Sequence, residues 1–326
     1  MILVMLLVLA FILGFVANRT TLCAVKAVDE ILFQGKAKVL ASFGKIILWA
    51  IGVSIILELG FGIPPSVAPK YALNLQAIFG GLILGTGAVL NGGCALHTLT
   101  RLGRGDLGML ISLTGISVSV FVLNGIKLII PAISFTSTTS TPGLDTQNRL
   151  ILSMIILVWM SIEVCRLLLH FKRSKWRAHM LTDYYQLSAA SAILGVCNGV
   201  LFAIVGIWTY THILLTSVTN LASQQNSPAN TDHALLWGLT LALLIGITIS
   251  SFIKGKLTVL IKPKVIWLRY FTGGMLMGLG ALLIPGGNDV LLLSAIPGGS
   301  PHAIPAYLCM LLGIGISLSI KALFSK

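Results

Sequence analysis

The sequence predicts an all-α integral membrane protein with about nine transmembrane helices, short re-entrant half-helices and an inverted internal repeat. Three observations carry this expectation. The 326 residues are 56% hydrophobic and only 10% charged, with a mean hydropathy of +0.98, whereas a soluble domain carries roughly 25% charged residues. Lys and Arg crowd into alternate loops. A glycine-rich pattern occurs twice.

Crossing the hydrocarbon core takes about 20 apolar residues in a helix, and hydropathy places spans at Ile2–Ala17, Ile46–Leu59, Leu73–Leu90, Leu107–Ile130, Leu150–Leu169, Leu187–Thr209, Ala234–Ile253, Val265–Leu283 and Ile304–Ile320. The first of these lacks a basic n-region and a small-residue cleavage site, and Asn18 and Arg19 end it. It therefore reads as a retained span, not a signal peptide. With the N-terminus outside, four basic clusters face the cytoplasm: Lys26, Lys36, Lys38 and Lys45; Arg101 and Arg104; Lys172, Arg173, Lys175 and Arg177; and Lys254, Lys256, Lys262, Lys264 and Arg269. Lys321 and Lys326 join them, and only Lys70, Lys127 and Arg149 fall toward the other side. The loops SFTSTTSTPGLDTQN and ASQQNSPANTD are polar and free of Lys and Arg. This is the positive-inside pattern, with the C-terminus cytoplasmic.

The net charge of +13 follows from that loop asymmetry, so no nucleic-acid partner is expected; the lipid bilayer is the surrounding medium. Cys23, Cys94, Cys165, Cys197 and Cys309 lie in or beside apolar segments, not in outer loops, and read as free thiols. No CxxC occurs, and no metal or other cofactor is expected. No GxxxxGK[ST] loop occurs either, so ATP drive within this chain is excluded.

Laid over one another, GGLILGTGAVLNGGC (Gly80–Cys94) and GGMLMGLGALLIPGG (Gly273–Gly287) match Gly80, Gly81, Gly85, Gly87, Ala88 and Gly93 with Gly273, Gly274, Gly278, Gly280, Ala281 and Gly286. The first copy would run from outside to inside and the second from inside to outside. Residues 1–130 (spans one to four) then form the first repeat, 131–186 a linker holding span five, and 187–326 (spans six to nine) the second repeat. Folds of this kind bind substrate near the midplane, where discontinuous helices meet.

The chain supplies such discontinuities. Gly80 to Gly87 has the small-residue spacing of close helix packing. Gly92–Gly93–Cys94 reads as a break, with Leu96–Leu102 continuing as a half-helix whose free N–H groups and positive end face a polar cavity. A second break follows span one, where Arg19 leaves the apolar run and Thr20, Thr21, Leu22 and Cys23 begin another short helix. A third lies at Gly286, Gly287 and Asn288.

Arg-x-x-Leu-Cys after a short first span, together with Gly85, Gly87, Gly92, Gly93, Cys94, Arg101, Gly103 and Gly105, resembles the YeeE/YedE family of sulfur-compound transporters. The resemblance extends over essentially the whole chain. It implies nine spans arranged as a pseudo-twofold pair, import of a small sulfur-containing anion such as thiosulfate, and cysteines on a central path that pass the anion by S–H hydrogen bonding. It also implies a bacterial inner-membrane location and a small cytoplasmic sulfur-carrier protein as partner. Where the family's second motif ends in Gly-Cys-Asn, this chain has Gly287 and Asn288, so two of the three path cysteines remain and a glycine widens the passage at the third. His97 stands where the family has Gly.

The expected path is therefore Cys23, Cys94, Gly92, Gly93, His97, Arg19, Arg101, Gly286, Gly287, Asn288 and Asp289. Arg19 either anchors a membrane edge or attracts the anion, with Arg101 shaping the potential at the other end. His97 donates to the anion, shuttles a proton or simply packs. Asp289, beside Asn288, caps free N–H groups or carries a functional carboxylate at membrane depth. Cys197 packs or faces the cavity, Cys165 and Cys309 belong to the core, and Glu163 with Arg166 form an intrahelical pair. The rival readings are a thiol enzyme or redox sensor using Cys94 with His97 as base, a structural or assembly subunit with no transport role, and a transporter of another sulfur or selenium compound.

Overall fold

The structure, a computed structural model, describes residues 1–20, 22–62, 69–129, 146–173, 185–223, 230–260 and 263–324. Thr21, Lys175, Arg177, Lys262, Lys326 and the greater part of the two polar loops lie outside the described residues. Everything regular among the described residues is helical, apart from one isolated bridge between Asp106 and Leu260.

The first half runs α1 (Ile2–Asn18), α2 (Ala24–Gln34), α3 (Lys38–Phe61), α4 (Leu75–Asn91), α5 (Ala95–Gly103) and α6 (Gly108–Ile129). After α7 (Thr146–Arg173) comes the second half: α8 (Leu187–Val205), α9 (Tyr210–Ser223), α10 (Asn230–Ile253), α11 (Lys264–Leu283), α12 (Asn288–Val290, continuing as a π-helical turn over Leu291–Ala295) and α13 (Ala303–Phe324). Seven helices of the described chain are long and apolar enough to cross a membrane, and Ile2–Asn18 and Gly108–Leu123 are shorter apolar helices. The chain is an all-α, multi-pass membrane protein. Each expected span coincides with one helix, but the sixth is shorter than hydropathy suggests. It stops at Val205, where Gly206 (φ +82°, ψ −136°) turns the chain, and the apolar residues beyond form the separate helix α9.

Glycine lets the central helices touch backbone to backbone. A Cβ on Gly87 would lie 2.7 Å from the Met277 nitrogen of α11, and one on Gly280 would lie 2.6 Å from the Leu84 nitrogen of α4. The two copies of the glycine pattern therefore pack against each other, in the small-residue mode that membranes favour in the absence of a hydrophobic force between helices. Around this pair α6 packs on α11 and α13 on α4; α1 packs on α10 and α3 on α8. Exchanging each helix of the first half for its counterpart in the second leaves this set of extensive contacts unchanged. Helix α7 stands at the periphery, with only 17% of its apolar window buried and Met154, Ile155 and Val158 exposed, a surface suited to lipid.

Candidate substrate path

Four short helices, α2, α5, α9 and α12, start inside the bundle, and each starts the same way. The carbonyls of Cys23, Cys94, Thr209 and Gly287 accept the N–H four residues on, from Ala27, Thr98, Ile213 and Leu291, at 2.9, 2.9, 3.2 and 3.0 Å. Cys23, Cys94 and Gly287 are thus the residues at which half-helices begin, with extended backbone conformations. Thr209 holds the corresponding place before α9.

The chain reaches Cys94 through a glycine-terminated helix end. Gly92 adopts φ +79°, and its N–H and that of Gly93 close on Val89 and Ala88 carbonyls at 3.1 and 2.8 Å, the paired bonds that satisfy a helix C-terminus. Gly93 is required for room: a Cβ there would lie 2.4 Å from the His97 ring. Asn91 ties the two sides of the break together, donating to Thr98 Oγ1 at 2.7 Å and to the Gly93 carbonyl at 3.2 Å.

Cys23 and Cys94 are buried, 5% and 2% exposed, and their thiols interact with each other. The N–H groups of Ala24 and His97 face the Cys94 sulfur, and those of Cys94, Val25 and Lys26 face the Cys23 sulfur. Two helix N-termini, each carrying a partial positive charge, therefore converge on a pair of sulfurs. The second half closes the opposite side. Asn288 Oδ1 accepts the Ala95 N–H at 3.2 Å, which caps α5 from across the repeat, and Tyr210 donates its hydroxyl to the Ala95 carbonyl at 2.7 Å.

At the third break the passage is not widened. A Cβ on Gly287 would lie 2.6 Å from Asp289 Oδ1 and 2.7 Å from Thr211 Oγ1, so the room a cysteine would need is already filled. Those two side chains hydrogen-bond to each other, and the Thr211 N–H also reaches Asp289 at 3.4 Å. Asp289 is 4% exposed and caps the start of α9. A cavity of about 220 Å³ is lined by Gly286 together with Tyr71, His212, Thr216 and His302 among others.

The arginines act on the backbone of the breaks. Arg101 donates to Asp106 at 2.6 and 3.2 Å, to the Tyr270 hydroxyl at 2.6 Å and to the Asn91 carbonyl at the end of α4 at 3.1 Å. Arg104 holds the end of α1 through Asn18 Oδ1 at 2.6 Å and the Asn18 carbonyl at 3.0 Å, with Lys254 on the same carbonyl at 3.2 Å. Arg19 is 1% exposed, stacked over Phe15 and Tyr185 at 4.7 and 5.5 Å and bonded to Ser250 at 3.2 Å. It is a packed residue with aromatic partners.

Sequence reasoning missed Tyr210 and Thr211, whose partners Ala95 and Asp289 are remote in the chain, and Asp106, which pairs with Arg101 only five residues away. It also paired Glu163 with Arg166 alone. The two lie 3.8 Å apart, but Lys45 and Ser188 bond the same carboxylate and so tie α3, α7 and α8 together. Of the remaining cysteines, Cys197 is buried and Cys309 half-buried, whereas Cys165, expected in the core, is exposed because it lies on the peripheral helix α7.

Broken helices meeting inside an apolar bundle, with polar groups concentrated at the breaks, define a polytopic membrane transporter. A family model described as Sulphur transport matches residues 19–316, and the chain belongs to that family, the YeeE/YedE family. No curated protein matches it. The protein is a transporter in sulfur transport, not an enzyme.

Proposed function

We propose that this protein imports a small sulfur-containing anion of the thiosulfate type, and that Cys23 and Cys94 pass it across the midplane by S–H hydrogen bonds. The supporting observation is the convergence of the α2 and α5 N-termini on two buried, interacting thiols. Backbone N–H groups and helix dipoles attract negative charge to that point without a fixed cation. Thiols are weak donors, and conduction needs sites that are left as readily as they are entered. A lysine there would hold the anion too long.

The surrounding features fit the same direction of travel. Lys26 and Arg104 lie within electrostatic reach of His97 on the α5 side, which draws an anion past the thiols. We place that side in the cytoplasm of a bacterial inner membrane, with the N-terminus outside, and assign a small cytoplasmic sulfur-carrier protein as receiver. The exchange-invariant contacts support the inverted repeat of 1–130 and 187–326 about the linker 131–186. Gly92, Gly93, Gly286, Gly287 and Asn288 shape the path, Asp289 and Thr211 fill the place of a third thiol, and His97 lines the exit. Uptake of labelled thiosulfate, sulfite, sulfate and selenium analogues by vesicles holding the purified protein tests the reading. Transport of none of them refutes it.

A further inference from the structure

Tyr307 stands near the start of α13, 7% exposed, and its hydroxyl is buried with no hydrogen-bond partner. Leaving an O–H dry in an apolar interior weighs roughly five- to hundred-fold against folding, and such groups in native proteins call for an explanation. Phenylalanine would fill the same space without that cost. Tyr210, the other tyrosine near the thiols, has spent its hydroxyl on the Ala95 carbonyl at 2.7 Å. The Tyr307 hydroxyl has not been spent, and it lies within electrostatic reach of both Cys94 and Cys23.

We propose that the missing partner is the cargo: Tyr307 donates its O–H to an oxygen of the transported anion while the thiols hold the sulfur-bearing end. The inference rests on the thiol-path reading above and adds to it a specificity-determining residue that lies outside every cysteine motif. Phenol is a harder and stronger donor than a thiol. One hard donor beside two soft ones selects an anion that carries oxygen at one end and exposed sulfur at the other. It also supplies the third donor that Gly287 cannot, since the room beside Gly287 is taken by Asp289 and Thr211.

Tyr307→Phe keeps the ring and removes only the donor. Labelled-thiosulfate counterflow with the unmodified protein in vesicles comes first, because its absence would defeat the transport reading itself. With that flux present, Tyr307→Phe should raise the half-saturating thiosulfate concentration about tenfold or more, the scale of one hydrogen bond to a charged group. In detergent without thiosulfate its melting temperature should be unchanged or higher, and the rise on adding thiosulfate should be smaller than for the unmodified protein. An unchanged half-saturating concentration overturns the proposal. So does a lower melting temperature without thiosulfate, since the hydroxyl would then have a partner in the protein.

Discussion

Arg101 separates two accounts of the basic residues near the break, one in which its charge draws the anion and one in which it holds the helix end. Its side chain is 15% exposed and that of Asp106 is 6% exposed, with the closest approach at 2.6 Å. In so enclosed a pair, removing one partner strands the other, at about 3–5 kcal/mol. Arg101→Leu also frees the Asn91 carbonyl that Arg101 holds at 3.1 Å. At roughly 2 °C per kcal/mol, the melting temperature in detergent should fall by about 6–10 °C. Arg101→Leu with Asp106→Leu should recover a good part of that loss, because no buried charge remains alone. Asp106→Asn is the sharper variant. It leaves Arg101 in place with more net positive charge, so attraction of the anion by Arg101 would make uptake rise. Loss of the clamp on α4 makes it fall, together with the melting temperature. Increased thiosulfate uptake by Asp106→Asn, or an Arg101→Leu protein as stable as the original, would refute this reasoning.

Gly287→Cys restores the residue that the family motif has at this position, but it should lower both stability and uptake, since the new Cβ meets atoms at 2.6 and 2.7 Å; adding Thr211→Ala should relieve part of the loss, and no relief would place the obstruction elsewhere. Gly87→Leu drives a side chain into α11 backbone at 2.7 Å, whereas Gly238→Ala meets only Leu7 at 3.7 Å. Membrane-extracted protein should be lost with the first and unaffected by the second, as measured by size-exclusion yield. Epitope tags at the two termini should report opposite sides of the membrane; both on one side would contradict the inverted repeat.

The all-α, multi-pass character was legible in the sequence because the bilayer demands long apolar runs. The break at Gly92–Gly93–Cys94 was legible for a local reason too: two adjacent glycines weaken a helix, and one of them takes a left-handed conformation. Helix α9 was harder to read. Hydropathy carries span six on to Thr209, and nothing in the composition marks the turn at Gly206 that sets Tyr210–Ser223 apart as its own helix. Gly287 was read as a gap because its neighbours in space, Thr211 and Asp289, meet only after the two halves of the second repeat fold together. Arg19 and Arg101 looked like free charges because Phe15, Tyr185, Asp106 and Tyr270 carry no motif that announces them as partners. Tyr307 was invisible, since an unpartnered hydroxyl is a property of its surroundings.

The central claim is that the anion crosses on Cys23 and Cys94, and the direct measurement is initial-rate uptake of labelled thiosulfate by vesicles containing the Cys94→Ala, Cys23→Ala and double variants, normalised to inserted protein. Alanine removes the S–H while leaving the glycine-built break intact. Each single variant should lose several-fold to about a hundred-fold in rate, the range for deleting a donor from a buried site, and the double variant should be near background. Cys165→Ala and Cys309→Ala, away from the converging helix ends, should keep nearly full uptake. Normal uptake by the double variant, for every sulfur anion tried, would contradict the account.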